Sequence, residues 1–377
     1  MLPTISLLLQ LSGPVDHEPA PQQLPTQPAQ SAAPAEPASK ITFVPDAEAF
    51  ATFRATYTHH PSDGSPWFSR FELPRVRAGL TVGTSKDPEE HIDSTEVAHV
   101  PASAGVGGRL LVEGVRSTAD GGLLGAAGDS VLLRMREAYG AWRPLKYLEF
   151  RAGMIPLPLV DQLDGGYDLR VTGPSGVEAA GLIDAADLGA SCSYWFPKGY
   201  GRAFIAGTDG EGYTRREQNR AKNVEAAVVV APDPRGPLRG LTLGTYLRKG
   251  TRGALDVRAD RATVGAFYQR GVARAGLAAT YARGIDIDGT ATGYSLEAYL
   301  RVVASERWIF GLRGQLTEFD TRQTAQTLLT QASFGMRVES HSEVHAIGEL
   351  ATSSASYFAQ IPTSRNLSAT VAARFHY

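Results

Sequence analysis

Three groupings of side chains have the types and spacing that could support chemistry. His341-Ser-Glu-Val-His345 would place both imidazoles on one face of a strand, the beginning of a metal site, but no third ligand stands nearby and a polar pair beside a turn accounts for the spacing. Asp286-Ile-Asp288-Gly289 hints at a calcium loop, yet the remaining ligand positions, including the bidentate Glu, are missing. Ser191, Ser193 and the eight His give no recognisable nucleophile and base, and no glycine run has the spacing that cradles a phosphate. The lone Cys192 excludes an intrachain disulfide and a cysteine zinc cluster. No catalytic residue, metal or cofactor is therefore expected.

What the charged residues do instead is keep to one phase. Val76, Ala78, Leu80 and Val82 alternate with Arg75, Arg77, Gly79 and Thr81, and Tyr294, Leu296, Ala298, Leu300 and Val302 alternate with Ser295, Glu297, Tyr299 and Arg301. The last segment repeats the pattern, with Leu367, Ala369, Val371, Ala373, Phe375 and Tyr377 on one side and Asn366, Ser368, Thr370, Ala372, Arg374 and His376 on the other. The apolar phase is rich in Ala and Val, which suffice against lipid chains but would fill a sandwich core poorly. No run of eighteen apolar residues offers a spanning helix. Forty Gly fit a chain of many turns, and a net charge of -2 gives no field for nucleic acid. These features predict an all-β protein, a transmembrane antiparallel barrel.

Sixteen strands can be laid out, at 49–58, 74–84, 106–115, 130–142, 147–156, 186–196, 200–207, 222–231, 239–248, 260–269, 273–283, 292–303, 307–317, 327–338, 343–352 and 366–377. Short connections alternate with long polar ones, as they do when both termini lie in the periplasm. Ser85 to Gly105 is too long for its place and could hold part of another strand. Aromatics gather at strand ends, with Tyr194, Phe196, Tyr268, Trp308, Phe375 and Tyr377 at one rim and Tyr57, Tyr281 and Tyr294 at the other. Strand 130–142 breaks the phase: if Leu133 and Met135 face lipid, so does Glu137, unless a bulge intervenes.

The barrel is expected to span 47–377, preceded by two segments of different character. Residues 1–13 carry a short apolar run, Ile5 to Leu11, resembling a secretory signal, although no Lys or Arg precedes Lys40. Residues 14–46 are Pro-, Ala- and Gln-rich, the composition of an extended periplasmic linker.

The segment from Arg136 to Pro158, with its Arg143-Pro-Leu turn, and the later Asp187-Leu188-Gly189 resemble the phosphate-selective (O/P-type) porin family. Arg151, Gly153 and Pro158 match that family's Arg-x-Gly-x-x-x-x-Pro pattern, and the likeness extends over roughly residues 130 to 212. It implies a homotrimer of sixteen-stranded barrels in the bacterial outer membrane, each with its third loop folded into the lumen. The activity it implies is passive diffusion of small hydrophilic or anionic solutes through a water-filled channel. Outer-membrane lipid and the barrel-assembly machinery are the other partners implied, and nucleic acid is not among them. A barrel enzyme of lipase or protease type, or a structural or adhesive barrel, is the alternative. The family's phosphate preference rests on a lysine cluster, and Lys is scarce among the 37 basic residues here.

The phase assigns Arg54, Arg75, Arg77, Arg109, Arg151, Arg248, Arg301, Arg313, Arg337 and Arg374 to the pore wall, against Glu113, Glu149, Glu225, Glu297, Glu339 and Glu349. Ten minus six leaves an excess of four positive charges. The third loop, 157–186, opposes them with Asp161, Asp164, Asp168, Glu178 and Asp184 against the single Arg170, and the first three would form the constriction with Arg170. A basic wall facing an acidic loop makes a transverse field that screens solutes by polarity and gives a modest anion preference. Phe375 and Tyr377 form the aromatic end of the last strand, the expected assembly signal. Deleting residues 375–377 should sharply lower the amount of protein recovered in outer membranes, and unchanged insertion would remove that role.

Overall fold

The computed structural model describes residues 41–59, 67–84, 104–117, 130–167, 173–210, 212, 220–253, 255–285, 289–319, 321, 326–339, 341–353 and 364–376. The expected signal and nearly all of the expected linker lie outside them, as do most of Ser85 to Gly105 and the Asp286-Ile-Asp288 run.

Among the described residues eighteen strands occur in chain order: β1 (Thr42–His59), β2 (Trp67–Gly83), β3 (Gly105–Ser117), β4 (Ser130–Leu145), β5 (Leu148–Pro156), β6 (Ala186–Phe196), β7 (Gly201–Thr208), β8 (Asn223–Val230), β9 (Leu241–Lys249), β10 (Thr251–Arg252), β11 (Val257–Arg258), β12 (Asp260–Arg270), β13 (Ala273–Arg283), β14 (Thr292–Val303), β15 (Trp308–Glu318), β16 (Gln326–Glu339), β17 (Ser342–Ser353) and β18 (Ser364–His376). Sixteen of them form one closed antiparallel barrel, sealed where β1 pairs with β18 from Glu48 and His376 to His59 and Arg365. The short pair β10 and β11 makes a separate hairpin between β9 and β12, which the sixteen-strand reading did not contain. Closure is what lets every ladder group find a partner without water, because a barrel has no edge.

The faces fall as the alternation predicts. On β14, Ser295, Glu297, Tyr299 and Arg301 are buried inside, whereas Leu296 and Leu300 point outward at 41 and 42% exposure. Across the outer surface Leu300 stands opposite Ala275 and Leu312, and Leu312 opposite Ala332. Trp308 stacks on Phe334 at 5.1 Å, and Tyr57 meets Trp67 at 5.0 Å.

Two expectations are corrected. β1 starts at Thr42, inside the segment read as linker, because Ile41 and Phe43 already keep the outward phase that the Pro- and Ala-rich composition hides. Glu339, expected on the wall, lies past a register shift at the end of β16 and is exposed.

Between β5 and β6 the chain turns into the barrel through α1 (Pro158–Tyr167) and α2 (Gly176–Ala179). Pro158 opens α1 where its missing N–H costs nothing. Leu159, Val160 and Leu163 lie on one side of it and join Ala227, Tyr246, Phe267 and Ala278 of the wall in a buried cluster. An apolar patch inside a polar lumen thus seats the loop.

Leu312 lies outward at 55% exposure near the middle of β15. Leu312→Arg should cost about 2–4 kcal/mol in urea unfolding from lipid vesicles, the range for a basic residue at the bilayer midplane. Gln331→Arg on the inner face, where Gln331 already donates to Glu349 at 2.7 Å, should cost far less.

Candidate functional site

A dense charge cluster grows from rows of facing residues on neighbouring strands. Arg77 stands opposite Glu48 of β1 on one side and Glu113 of β3 on the other, so the alternation in β2 builds a cross-strand row of acid, base and acid. Glu113 is fully buried, and its Oε1 receives Arg75 at 2.6 Å, Arg77 at 3.1 Å and Arg136 at 3.5 Å. Arg136 reaches it from the bulge in β4 where Leu111 pairs with Glu137 and Val112 with Met135. Leu133 and Met135 remain outside while Arg136 and Glu137 both turn in, which resolves the conflict in that strand. Glu137 then pairs with Arg109 at 3.1 Å, and Arg109 also reaches Asp46 at 3.2 Å.

Farther round, Arg151 lies 2.6 Å from Glu149 and over the Tyr139 ring, and Arg143 takes the other oxygen of Glu149 at 2.7 Å. Among the described side chains of β2 to β7, Arg75, Arg77, Arg109, Arg134, Arg136, Arg143, Arg151 and Arg202 face inward against Glu113, Glu137, Glu149 and Asp187. Eight against four leaves an excess of four positive charges on this wall.

The loop is fastened across the barrel. The Gly176 N–H donates to Glu297 of β14 at 2.8 Å, Arg313 of β15 donates to the Pro174 carbonyl at 2.7 Å, and Arg261 of β12 donates to that of Leu182 at 2.8 Å. From the same turn Glu178 reaches Arg75 of β2 at 3.5 Å and Arg136 of β4 at 3.6 Å. Four barrel strands separate β15 from β2 one way round, and seven separate β14 from β4 the other way, so α2 is held from opposing walls. In α1, burial pushes the Asp161 carboxyl above its usual range and Glu137 adds to this, against the pull of Arg202, Arg151 and Arg136.

The expected wall residues divide by partner. Arg313 binds Glu297 at 2.9 Å, and Arg248 binds the Gly210 carbonyl at 2.6 Å beside Glu225. Arg301, Arg337 and Arg374 share Glu343, at 4.0, 3.3 and 3.6 Å, and Arg374 also takes Glu48 at 2.8 Å. Arg54 lies on the inner phase of β1, partly buried. Asp164 is in α1, while Asp168 and Arg170 lie outside the described residues, as does Tyr377. Phe375 points outward at 53% exposure. The two imidazoles of the His341 pair part company: His345 meets Glu343 at 3.2 Å, and His341 packs on the His376 ring at 5.8 Å.

Solved structures share this fold. An anion-selective porin from Comamonas acidovorans superposes with a TM-score of 0.59 at 15% identity, covering 90% of this chain and 100% of that one. OmpF of Salmonella typhi in complex with daunomycin gives 0.59 at 12% identity, over 89% and 97% of the two chains. OmpT, an outer membrane protein of Vibrio cholerae, gives 0.53 at 12% identity, over 89% and 98%. What they share with this chain is its fold. No family model matches the sequence, and no curated protein does.

The matched motif positions have structural work of their own. Gly153 sits at φ 122°, and a Cβ there would come within 2.3 Å of the Ala138 carbonyl oxygen, so a side chain would break the β4–β5 pairing. Asp187 accepts from the Leu188 and Gly210 N–H groups, each at 2.8 Å, tying the start of β6 to the next loop.

Several residues of the cluster escaped the sequence. Glu137 needed the bulge, Glu343 sits at the first inward position of β17, and Glu48 lay just ahead of the first expected strand, 49–58. Glu113 is the residue to remove. Glu113→Gln leaves Arg75, Arg77 and Arg136 without their shared buried carboxylate and should destabilise the barrel by about 3–5 kcal/mol, read by urea unfolding in lipid vesicles.

Proposed function

We propose that the chain forms a water-filled channel through the bacterial outer membrane for passive diffusion of small hydrophilic solutes, with a modest preference for anions, and that it assembles as a homotrimer. The observation that carries the reading is the closed sixteen-strand barrel with an apolar outside, an arginine-rich inner wall and a loop tied across its interior. The Comamonas protein is an anion-selective porin, which supports the same preference. The likeness at Arg151, Gly153, Pro158 and Asp187-Leu188-Gly189 favours the phosphate-selective type within that class, and the excess of Arg on β2 to β7 suits any small anion. The wall residues Arg109, Arg151 and Arg202 would line the passage, with Asp161, Asp164 and Asp168 opposing them from the loop. The apolar outer face would meet lipid, and the aromatic-ended β18 would be read by the barrel-assembly machinery.

A charge at a narrow, water-poor passage counts for more than one in an open vestibule. In a planar bilayer with a KCl gradient, the protein should give stepwise conductance and a reversal potential on the anion side. Changing Asp161, Asp164 and Asp168 together to Asn should move that potential further toward anions at 0.1 M salt. The shift should shrink at molar salt, where the screening length falls to about 3 Å. Conductance with a cation-side potential, or no effect of the triple change, would refute the assignment.

The raised pKa of Asp161 adds a pH dependence of known sign. Below it the carboxyl is neutral; as pH rises through it, the loop gains a negative charge and anion preference falls. Asp161→Asn should flatten that part of the profile.

A further inference from the structure

Glu178 is held differently from every other acid in the wall cluster. Its Oε1 stands 3.5 Å from Arg75 and 3.6 Å from Arg136, long beside the 2.6 Å between Arg75 and Glu113. Its Oε2 is buried and accepts no hydrogen bond from any described group. The backbone on either side of it is fixed, since Gly176 and Leu182 are both hydrogen-bonded to the far wall and Val177 is buried. Only the side chain reaches into the guanidinium group. A carboxylate so placed fills an anion site without satisfying it.

We propose that Arg75, Arg77 and Arg136 form a binding site for a small organic carboxylate in transit, and that Glu178 is the internal carboxylate that occupies the site when no solute does. Charge supports this. Arg75, Arg77 and Arg136 converge on Glu113, and swinging the Glu178 side chain away removes one negative charge from beside Arg75 and Arg136, while Glu48, 3.9 Å from Arg77, is engaged by Arg374 at 2.8 Å. Geometry supports it as well. Guanidinium forks match a planar carboxylate through paired N–H donors, so a mobile solute free to settle can form short bonds that Glu178, tethered to its turn, does not reach. Because a side-chain rotation suffices, exchange between Glu178 and solute is fast enough not to stall flow. Binding and release then alternate at one point in the lumen, and Glu178 sets the affinity by competition.

The inference rests on the channel reading, and propionate, the free counterpart of the Glu side chain, tests it. Half-blocking concentrations of propionate against chloride current would be measured at constant ionic strength in planar bilayers, with heat-modifiable migration confirming that each variant folds. Glu178→Gln removes the competitor and should lower the half-blocking concentration by about tenfold, the factor by which a site free one-tenth of the time weakens apparent binding. Adding Arg75→Gln to it should raise the value again. Should the Gln variant fail to fold, Glu178→Asp, which withdraws the carboxylate by one methylene, should lower the value by a smaller factor. Conducting channels with equal half-blocking concentrations in the native protein and its Glu178 variant overturn this inference alone, whereas no conductance from either overturns the channel reading and this one with it.

Discussion

A strand that crosses hydrocarbon must leave no N–H or C=O unpaired, and closing the sheet on itself is how this chain meets that demand. Closure gives each strand one face to lipid and one to the interior, so every charge in a spanning segment is driven inward. The interior therefore fills with ions that have to be satisfied by one another. Glu113 holding three guanidiniums, and Glu343 serving Arg301, Arg337 and Arg374, are the result. The pairs are not an added source of stability so much as a condition for burying the charges at all.

The same constraint decides where the loop between β5 and β6 can rest. Its apolar side, Leu159, Val160 and Leu163, finds one apolar stretch of inner wall at Ala227, Tyr246, Phe267 and Ala278. Its turn at α2 finds polar groups on two opposing walls, with backbone bonds to Glu297 and Arg313 and a side-chain contact to Arg75 and Arg136. A hydrophobic seat and polar tethers together fix the loop. The proposed anion preference follows from the arginine excess among the described side chains of β2 to β7 rather than from the net charge of the chain, which is -2.

How much of this was legible depended on range. Period-two alternation is local, so the faces of β14 and β18 could be read residue by residue, and the clash between Met135 and Glu137 even announced the bulge in β4. Glu137 was the residue turned at that bulge, because one extra residue reverses the phase. Composition misled at β1, where five residues counted as linker pair with β2. The contact between Arg75 and Glu178 joins residues 103 apart in sequence, and nothing in either neighbourhood points to the other. That the loop enters the barrel came only from the resemblance around Arg151 and Pro158; the spacing of its acids is equally compatible with an outer loop.

The placement of α2 is thus the claim on which the functional account turns, and Ala179 tests it because its side chain is exposed in the turn. With Cys192, on the outer phase of β6, replaced by Ser, an Ala179→Cys channel would be recorded while a charged, membrane-impermeant thiol reagent is added. If α2 stands in the lumen, labelling should cut the current of each open channel in one step and shift its ionic preference toward ions opposite in sign to the label. Full labelling with unchanged current would place α2 outside the conducting path and contradict the account.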